Sequence, residues 1–503
     1  MRWCGEDLLV FEAFWAGLTS LLSWSIFGFI ILGCSLGIVF GAIPGLTGII
    51  VIALMLPFIW TMEPIMAVPF ILAILASVHT SNTFPAVLFN VPGSPSAAAT
   101  ILDGYPMAKK GEAARALSAA FMASVMGGLF GAIFLAFVIP VIRPLVLMFA
   151  SPERFILVLM GIVMIGVLGS KQRTKGLLAG ALGLLISTIG MDPQEGIPRY
   201  AFGQDYLLYG ISLVPLTLGL FCLPEVIELA RRGRIAGREI EKIEMGTGFR
   251  QGIKDGFHHW FLVLRSSAIG VFGGAIPGIG GTASAFYAYG YAVQGSKSKA
   301  DFGKGDVRGV IAPESANNSS TGGELIPTLA FGIPGGASTA MLLVAFLILG
   351  VQPGPSMLTT HLSFTFSMVW TVVIANLITC GVCLLLVKPI ARLTTVRGEL
   401  LIPFILLFVL FGSYIQTVTV MDLVVTSSFG VLGYVMMRSQ WPRAPLLVGF
   451  ILGTLAERFL YISYASYGPL FFLRPVSLIL TLLLLAILVF AFVSPRRRRE
   501  GEG

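Results

Sequence analysis

The chain has 503 residues, 56% of them hydrophobic and only 12% charged, and 33 basic against 25 acidic residues give a net charge of +8. Soluble domains carry about 25% charged residues, so this composition excludes an ordinary water-soluble fold. The basic excess does not point to nucleic acid, because no basic patch is interleaved with aromatics; it fits the Lys/Arg bias of cytoplasmic loops.

In chain order, no cleavable signal peptide is evident at the N-terminus, where Arg2 is followed closely by Glu6 and Asp7. Apolar runs long enough to cross about 30 Å of hydrocarbon then recur, for example at 116–142 and 470–493. Their spacing predicts an all-α polytopic membrane protein with roughly 10–13 transmembrane segments. No Lys or Arg lies between Arg2 and Lys109, or between Arg308 and Lys388. Cations gather instead at 109–115, 171–175, 231–254, 297–308, 388–397, 438–443 and 496–499, and the positive-inside rule puts these clusters in the cytoplasm. Residues 1–230 read as a first membrane repeat, 231–256 as a cytoplasmic basic linker, 257–493 as a second repeat with closing helices, and 494–503 as a cytoplasmic basic tail.

The two halves share motifs. Gly41-Ala42-Ile43-Pro44-Gly45 returns as Gly274-Ala275-Ile276-Pro277-Gly278, 233 positions on. The stretch from Pro85 through Asn90, Pro92, Gly93, Ser94 and Ser96 returns at Pro327 through Pro334, Gly335 and Ser338, 242 positions on. In the first half, the segment between the motifs has no cation and Lys109, Lys110 and Arg115 follow it; in the second, Lys297, Lys299, Lys304 and Arg308 lie between them. Equivalent loops thus fall on opposite faces, the pattern of an inverted-topology repeat with broken or re-entrant helices.

The repeated motifs carry most of the intramembrane polarity. The first contributes His79, Ser81, Asn82, Thr83, Asn90, Ser94 and Ser96; the second contributes Asn317, Asn318, Ser319, Ser320, Thr321, Glu324, Ser338 and Thr339. So many polar groups cannot face lipid and must turn toward the protein interior or a water-filled cavity. Pro92-Gly93 and Pro334-Gly335 remove a backbone donor and permit unusual backbone angles, which breaks a helix at membrane depth. The half-helices that restart after them offer free N–H groups and a positive dipole end, an anion site that needs no arginine. Pro44, Gly45, Pro277 and Gly278 mark further breaks beside it, with Thr47 and Thr282 as adjacent polar contacts. Glu324 is the ionisable group expected deepest, and it is a candidate for a coupling ion. His79 reads equally well as a coupling group and as a hydrogen-bonded interior histidine. Asp103 and Glu314 are expected nearer the interface in structural roles, and His258 and His259 beside the basic linker.

Other chemistries find no support. Gly273 to Gly281 is glycine-rich, yet it has no βαβ context for a dinucleotide, and no Walker A, H-E-x-x-H, G-x-S-x-G or metal-ligand cluster occurs. Cys380-x-x-Cys383 lies inside an apolar run and reads as two small residues on a helix face. The chain is therefore not expected to be an enzyme or to hold a cofactor or metal.

The segments His79–Leu117, Gly273–Gly281 and Gly309–Leu343 resemble the large permease subunit of tripartite tricarboxylate transporters. That resemblance implies a bacterial inner-membrane, multi-pass permease of about twelve helices. It further implies a small membrane subunit and a periplasmic solute-binding protein as partners, and transport of an organic carboxylate driven by Na⁺ or H⁺. The signature positions are 41–48, 79–96, 274–282 and 314–339. An anion channel, or a carboxylate carrier without a binding protein, is the alternative.

Overall fold

The computed structural model describes residues 2–169, 172–192, 194–232, 248–395 and 400–493. About four in five of these residues are helical; the one sheet among them is a two-stranded antiparallel ribbon, Gly190–Met191 with Pro198–Arg199. Nine described helices are long and apolar enough to cross a membrane, and five shorter apolar helices accompany them. The expected 10–13 segments thus divide into full-length helices and the shorter ones produced by Gly/Pro interruption. In the expected linker, Leu223–Arg232 and Phe249–His258 are helices. Residues 233–247 and the basic tail 494–503 lie outside the described residues.

Helices differ sharply in what surrounds them. Pro475–Val493 keeps only 11% of its most apolar window buried, as suits a helix facing lipid, whereas Pro64–Phe89 has 83% buried. At the centre runs Arg308–Phe331, in which every residue except Arg308, Ile326 and Phe331 is buried. Its Asn, Ser, Thr and Gly content makes it a poor helix by intrinsic propensity. Tertiary contact compensates, because small residues let neighbouring backbones approach. A Cβ at Gly131 of Ala113–Met148 would lie 2.6 Å from the Ser319 carbonyl oxygen, and one at Gly274 would lie 2.4 Å from the Ser320 carbonyl oxygen.

The sequence repeat is matched element by element. Trp24–Gly41, Gly48–Ile59, Pro64–Phe89, Ala98–Lys109 and Ala113–Met148 correspond in order to Trp260–Ala275, Gly280–Gly295, Arg308–Phe331, Ala337–Ile348 and Leu362–Leu385. Contacts repeat as well: Gly37 packs against Ser77, and Gly270, 233 positions on, packs against Ser319, 242 positions beyond Ser77.

Candidate substrate site

The two Pro-Gly motifs are helix breaks with closely matching backbones. After Phe89 the chain turns through left-handed Asn90 (φ 56°), and the Val91 N–H reaches back to the Pro85 carbonyl at 3.4 Å. After Phe331 it turns through Gly332 (φ 70°), and the Ile333 N–H reaches the Pro327 carbonyl at 3.2 Å. Ser94 (φ −145°) and Gly336 (φ −150°) then begin the restarting helices in extended conformation. Gly45 and Gly278 likewise share φ of 90° and 89°, a region that disfavours any residue with a Cβ. Repeated composition has produced repeated geometry.

These segments enclose a cavity of about 290 Å³, near the lower end of the ligand-pocket range of about 300–1,000 Å³. The first half supplies Thr47, His79, Ser94 and Ser96 to its wall; the second supplies Gly280, Glu324, Gly336 and Ser338. Several of these are repeat mates: Thr47 with Gly280, Ser94 with Gly336, Ser96 with Ser338. One pair meets directly. His79 Nδ1 lies 3.1 Å from the Thr321 hydroxyl, and Thr321 is 242 positions beyond His79, its own mate.

Asn82 and Glu324 are also mates, with the same task. The glycines that follow the breaks press on them: a Cβ at Gly93 would lie 2.9 Å from the Asn82 Cα, and one at Gly335 would lie 2.6 Å from the Glu324 Cα. Asn82 Nδ2 donates to Ser94 Oγ at 2.6 Å, and Ser94 shares a hydrogen bond of 2.8 Å with Ser96. Glu324 Oε1 accepts the Gly281 N–H at 3.0 Å and Oε2 the Thr339 hydroxyl at 3.1 Å. Each half thus ties its break to the preceding helix, through a neutral amide in the first and a carboxylate in the second. Neither Lys nor Arg lines the cavity; His79 and Glu324 are its ionisable side chains.

The remaining expected residues scatter around this centre. Ser81 donates to the Gly37 carbonyl (2.9 Å) and Ser319 to the Ser267 carbonyl (2.9 Å), both sealing helix contacts. Asn318 Nδ2 bridges Thr80 Oγ1 (2.7 Å) and Asn376 Oδ1 (3.0 Å), with none of the three lining the cavity. Asn317 Nδ2 donates to the His79 carbonyl at 3.1 Å, while its Oδ1, near Gly281, is buried without a partner, as is Asn82 Oδ1. Ser320 donates to the Asn317 carbonyl. Asn90 is exposed, a helix cap rather than a wall. Thr83 is buried and does not line the cavity. Glu314 is fully enclosed rather than near an interface, accepting from Thr100 (2.6 Å) and Ser124 (3.2 Å). Asp103 is also buried, accepting the Gly305 and Asp306 N–H groups (2.8 and 2.9 Å) and the Tyr289 hydroxyl (3.0 Å) at the start of the central helix. Cys380 and Cys383 are buried free thiols. Ile165, Gly169, Ala444 and Pro445 close the cavity from outside both motifs. Their apolar sequence gives no sign of that position.

The profile of the family described as "Tripartite tricarboxylate transporter TctA family" matches residues 27–448. This chain belongs to that family. It is accordingly the large subunit of a tricarboxylate-type transporter, a multi-pass membrane protein and not an enzyme. Two Agrobacterium vitis proteins are similar to this TctA family member. One, described as an uncharacterized 52.8 kDa protein in the TAR-I ttuC' 3'region, is 30% identical over 93% of this chain and 94% of its own length. The other, an uncharacterized protein in the TAR-II ttuC' 3'region, is 32% identical over 46% of this chain and 96% of its own length. No solved structure matches.

Proposed function

We propose that this chain carries an organic di- or tricarboxylate across the bacterial inner membrane, binding it in the cavity between the two halves. The reading is supported above all by the His79–Thr321 contact between repeat mates beside the cavity, as expected of a cavity on an axis relating the halves. With the charge reversal of the connecting loops, that axis lies in the membrane plane, so the halves form an inverted repeat that opens the cavity to alternate sides. The carboxylates bind the Ser94, Ser96 and Ser338 hydroxyls and the N-terminal N–H groups of the helices restarting after the breaks. Glu324, with the buried oxygen of Asn317 near Gly281, offers oxygen ligands to a coupling Na⁺ or a site for H⁺. A periplasmic binding protein and a small membrane subunit complete the system, and the C-terminus is cytoplasmic.

The test is uptake into proteoliposomes holding this chain and its small subunit, fed by binding protein loaded with labelled carboxylate. Saturable uptake that follows an imposed Na⁺ or H⁺ gradient, and is lost in a Ser96→Leu/Ser338→Leu variant that still assembles, is expected. Non-saturable flux, or uptake indifferent to that double substitution, overturns the reading.

A further inference from the structure

A second pocket of about 340 Å³ lies behind the second helix break and takes no part in the site above. Arg154, on Ser151–Leu168, and Arg458, on Arg443–Tyr467, both line it, and no acidic residue does. Several guanidinium groups elsewhere meet carboxylates, as Arg115 does Asp255, Arg308 Asp306 and Arg443 Glu225, while Arg173 and Arg265 are held by the Phe490 carbonyl and the Tyr291 hydroxyl. Among the described residues, neither Arg154 nor Arg458 has a carboxylate within ion-pair distance. Their chain neighbours are engaged elsewhere. Glu153 accepts from the Ser477 hydroxyl (2.6 Å) and the Ala150 N–H (2.9 Å), and Glu457 takes both terminal nitrogens of Arg199 (2.5 and 3.0 Å).

Position adds to the argument. Ala330 and Phe331 form one wall of this pocket, immediately before the break, while Gly336 and Ser338, immediately after it, line the central cavity. A single turn of chain separates the two spaces. Arg458 and Leu347 also line a larger open cavity of about 810 Å³ beside the 190–199 ribbon, so the pocket leads outward. The helices carrying Arg154 and Arg458 have their opposite ends at the basic clusters around Lys175 and Arg438–Arg443, which sets both arginines toward the non-cytoplasmic face.

We propose that this pocket is an outer waiting site for the transported carboxylate, Arg154 and Arg458 each taking one carboxylate group before the molecule passes the 332–336 turn. This rests on the carboxylate-transport reading. Guanidinium forks match carboxylates in bidentate geometry, and two cations without a carboxylate partner, half-buried Arg154 and exposed Arg458, give the pocket a positive potential that draws an anion.

Ser356 lines the same pocket, so a Ser356→Cys chain in nanodiscs reports its potential without any transport. A negatively charged sulfonatoethyl thiosulfonate and its positively charged trimethylammonium counterpart are compared by mass spectrometry on the peptide bearing position 356. The anion-to-cation rate ratio is expected to fall about tenfold in Arg154→Gln/Arg458→Gln and to recover in the double Lys variant. Millimolar citrate or succinate, with no binding protein present, is expected to slow labelling in the arginine protein and not in the double Gln variant. An unchanged ratio overturns the proposal, as does protection by neither acid or equal protection in both proteins. Because nothing need cross the membrane, failure here with saturable uptake intact removes the waiting site alone.

Discussion

Glu324→Gln separates the charge of the central carboxylate from its shape. The glutamine amide oxygen can keep the Gly281 N–H now bound at 3.0 Å, and its NH₂ then faces Thr339 Oγ1, 3.1 Å from the present Oε2. Thr339 can turn its hydroxyl to the Gly336 carbonyl, also 3.1 Å away. Every hydrogen bond survives in neutral form, so the folding cost should be about 1 kcal/mol, a few degrees of Tm at most. A cation held at this carboxylate loses far more. A unit charge at about 4 Å and an effective dielectric near 20 contributes about 4 kcal/mol; the retained amide oxygen offsets part of it, leaving at least about a hundredfold weaker ion activation. Initial uptake rates against Na⁺ and against external pH, each under a clamped membrane potential, measure the effect. Carboxylate exchange without a gradient should persist. Activation curves for both ions superimposing on those of the unsubstituted protein would refute the reasoning.

The other predictions concern architecture. Gly131→Ala forces a Cβ to within 2.6 Å of the Ser319 carbonyl oxygen and should lower thermal stability by several degrees, whereas Gly381→Ala, with nothing within 4 Å, should leave it unchanged or raise it slightly; melting followed by size-exclusion compares them. Exchanging mates in His79→Thr/Thr321→His should retain more uptake than either single change, with a coupling energy of about 1 kcal/mol from the double-mutant cycle. Asn318→Leu should reduce stability with little change of KM in the protein that folds, because Asn318 ties Thr80 to Asn376 away from the cavity. On the 190–199 ribbon, the N–H groups of Gln194 and Glu195, and then Arg199, hold the Asp192 carboxyl below its ordinary range against a smaller opposing desolvation. The lowered value means its stabilisation is present above the unfolded value of about 3.9 and fades as pH falls through the folded one. Exchange of those two amides, corrected for intrinsic rate, should therefore accelerate only below about pH 4, and Asp192→Asn should abolish that dependence.

Much of this was legible because membranes make polarity conspicuous. Ser94, Ser96, His79, Glu324 and Ser338 stand out against apolar flanks, and they do line one cavity. Motif spacing also paired Gly45 with Gly278, whose φ values agree within a degree. Polarity alone does not say which way a side chain turns. Asn318 and Ser319 satisfy neighbouring helices instead of the cavity, and Glu314, three to five residues from Asn317, Asn318 and Ser319, is enclosed by Thr100 and Ser124. Hydropathy likewise passes over Arg308–Phe331, the most enclosed helix, because it is buried in protein and need not be apolar. Arg154 and Arg458 gave no signal, since their meaning lies in an absence of partners that only three-dimensional neighbours reveal.

On the proposed inverted-repeat reading, the position of the His79–Thr321 hydrogen bond has a consequence for turnover. When two like halves trade conformations, contacts off the axis must break on one side and reform on the other. A contact on the axis is carried onto itself. It need not be remade, and it can serve as the pin about which the halves swing. A cross-link there should leave the carrier free to turn over, while one a few residues to either side should lock it facing one way.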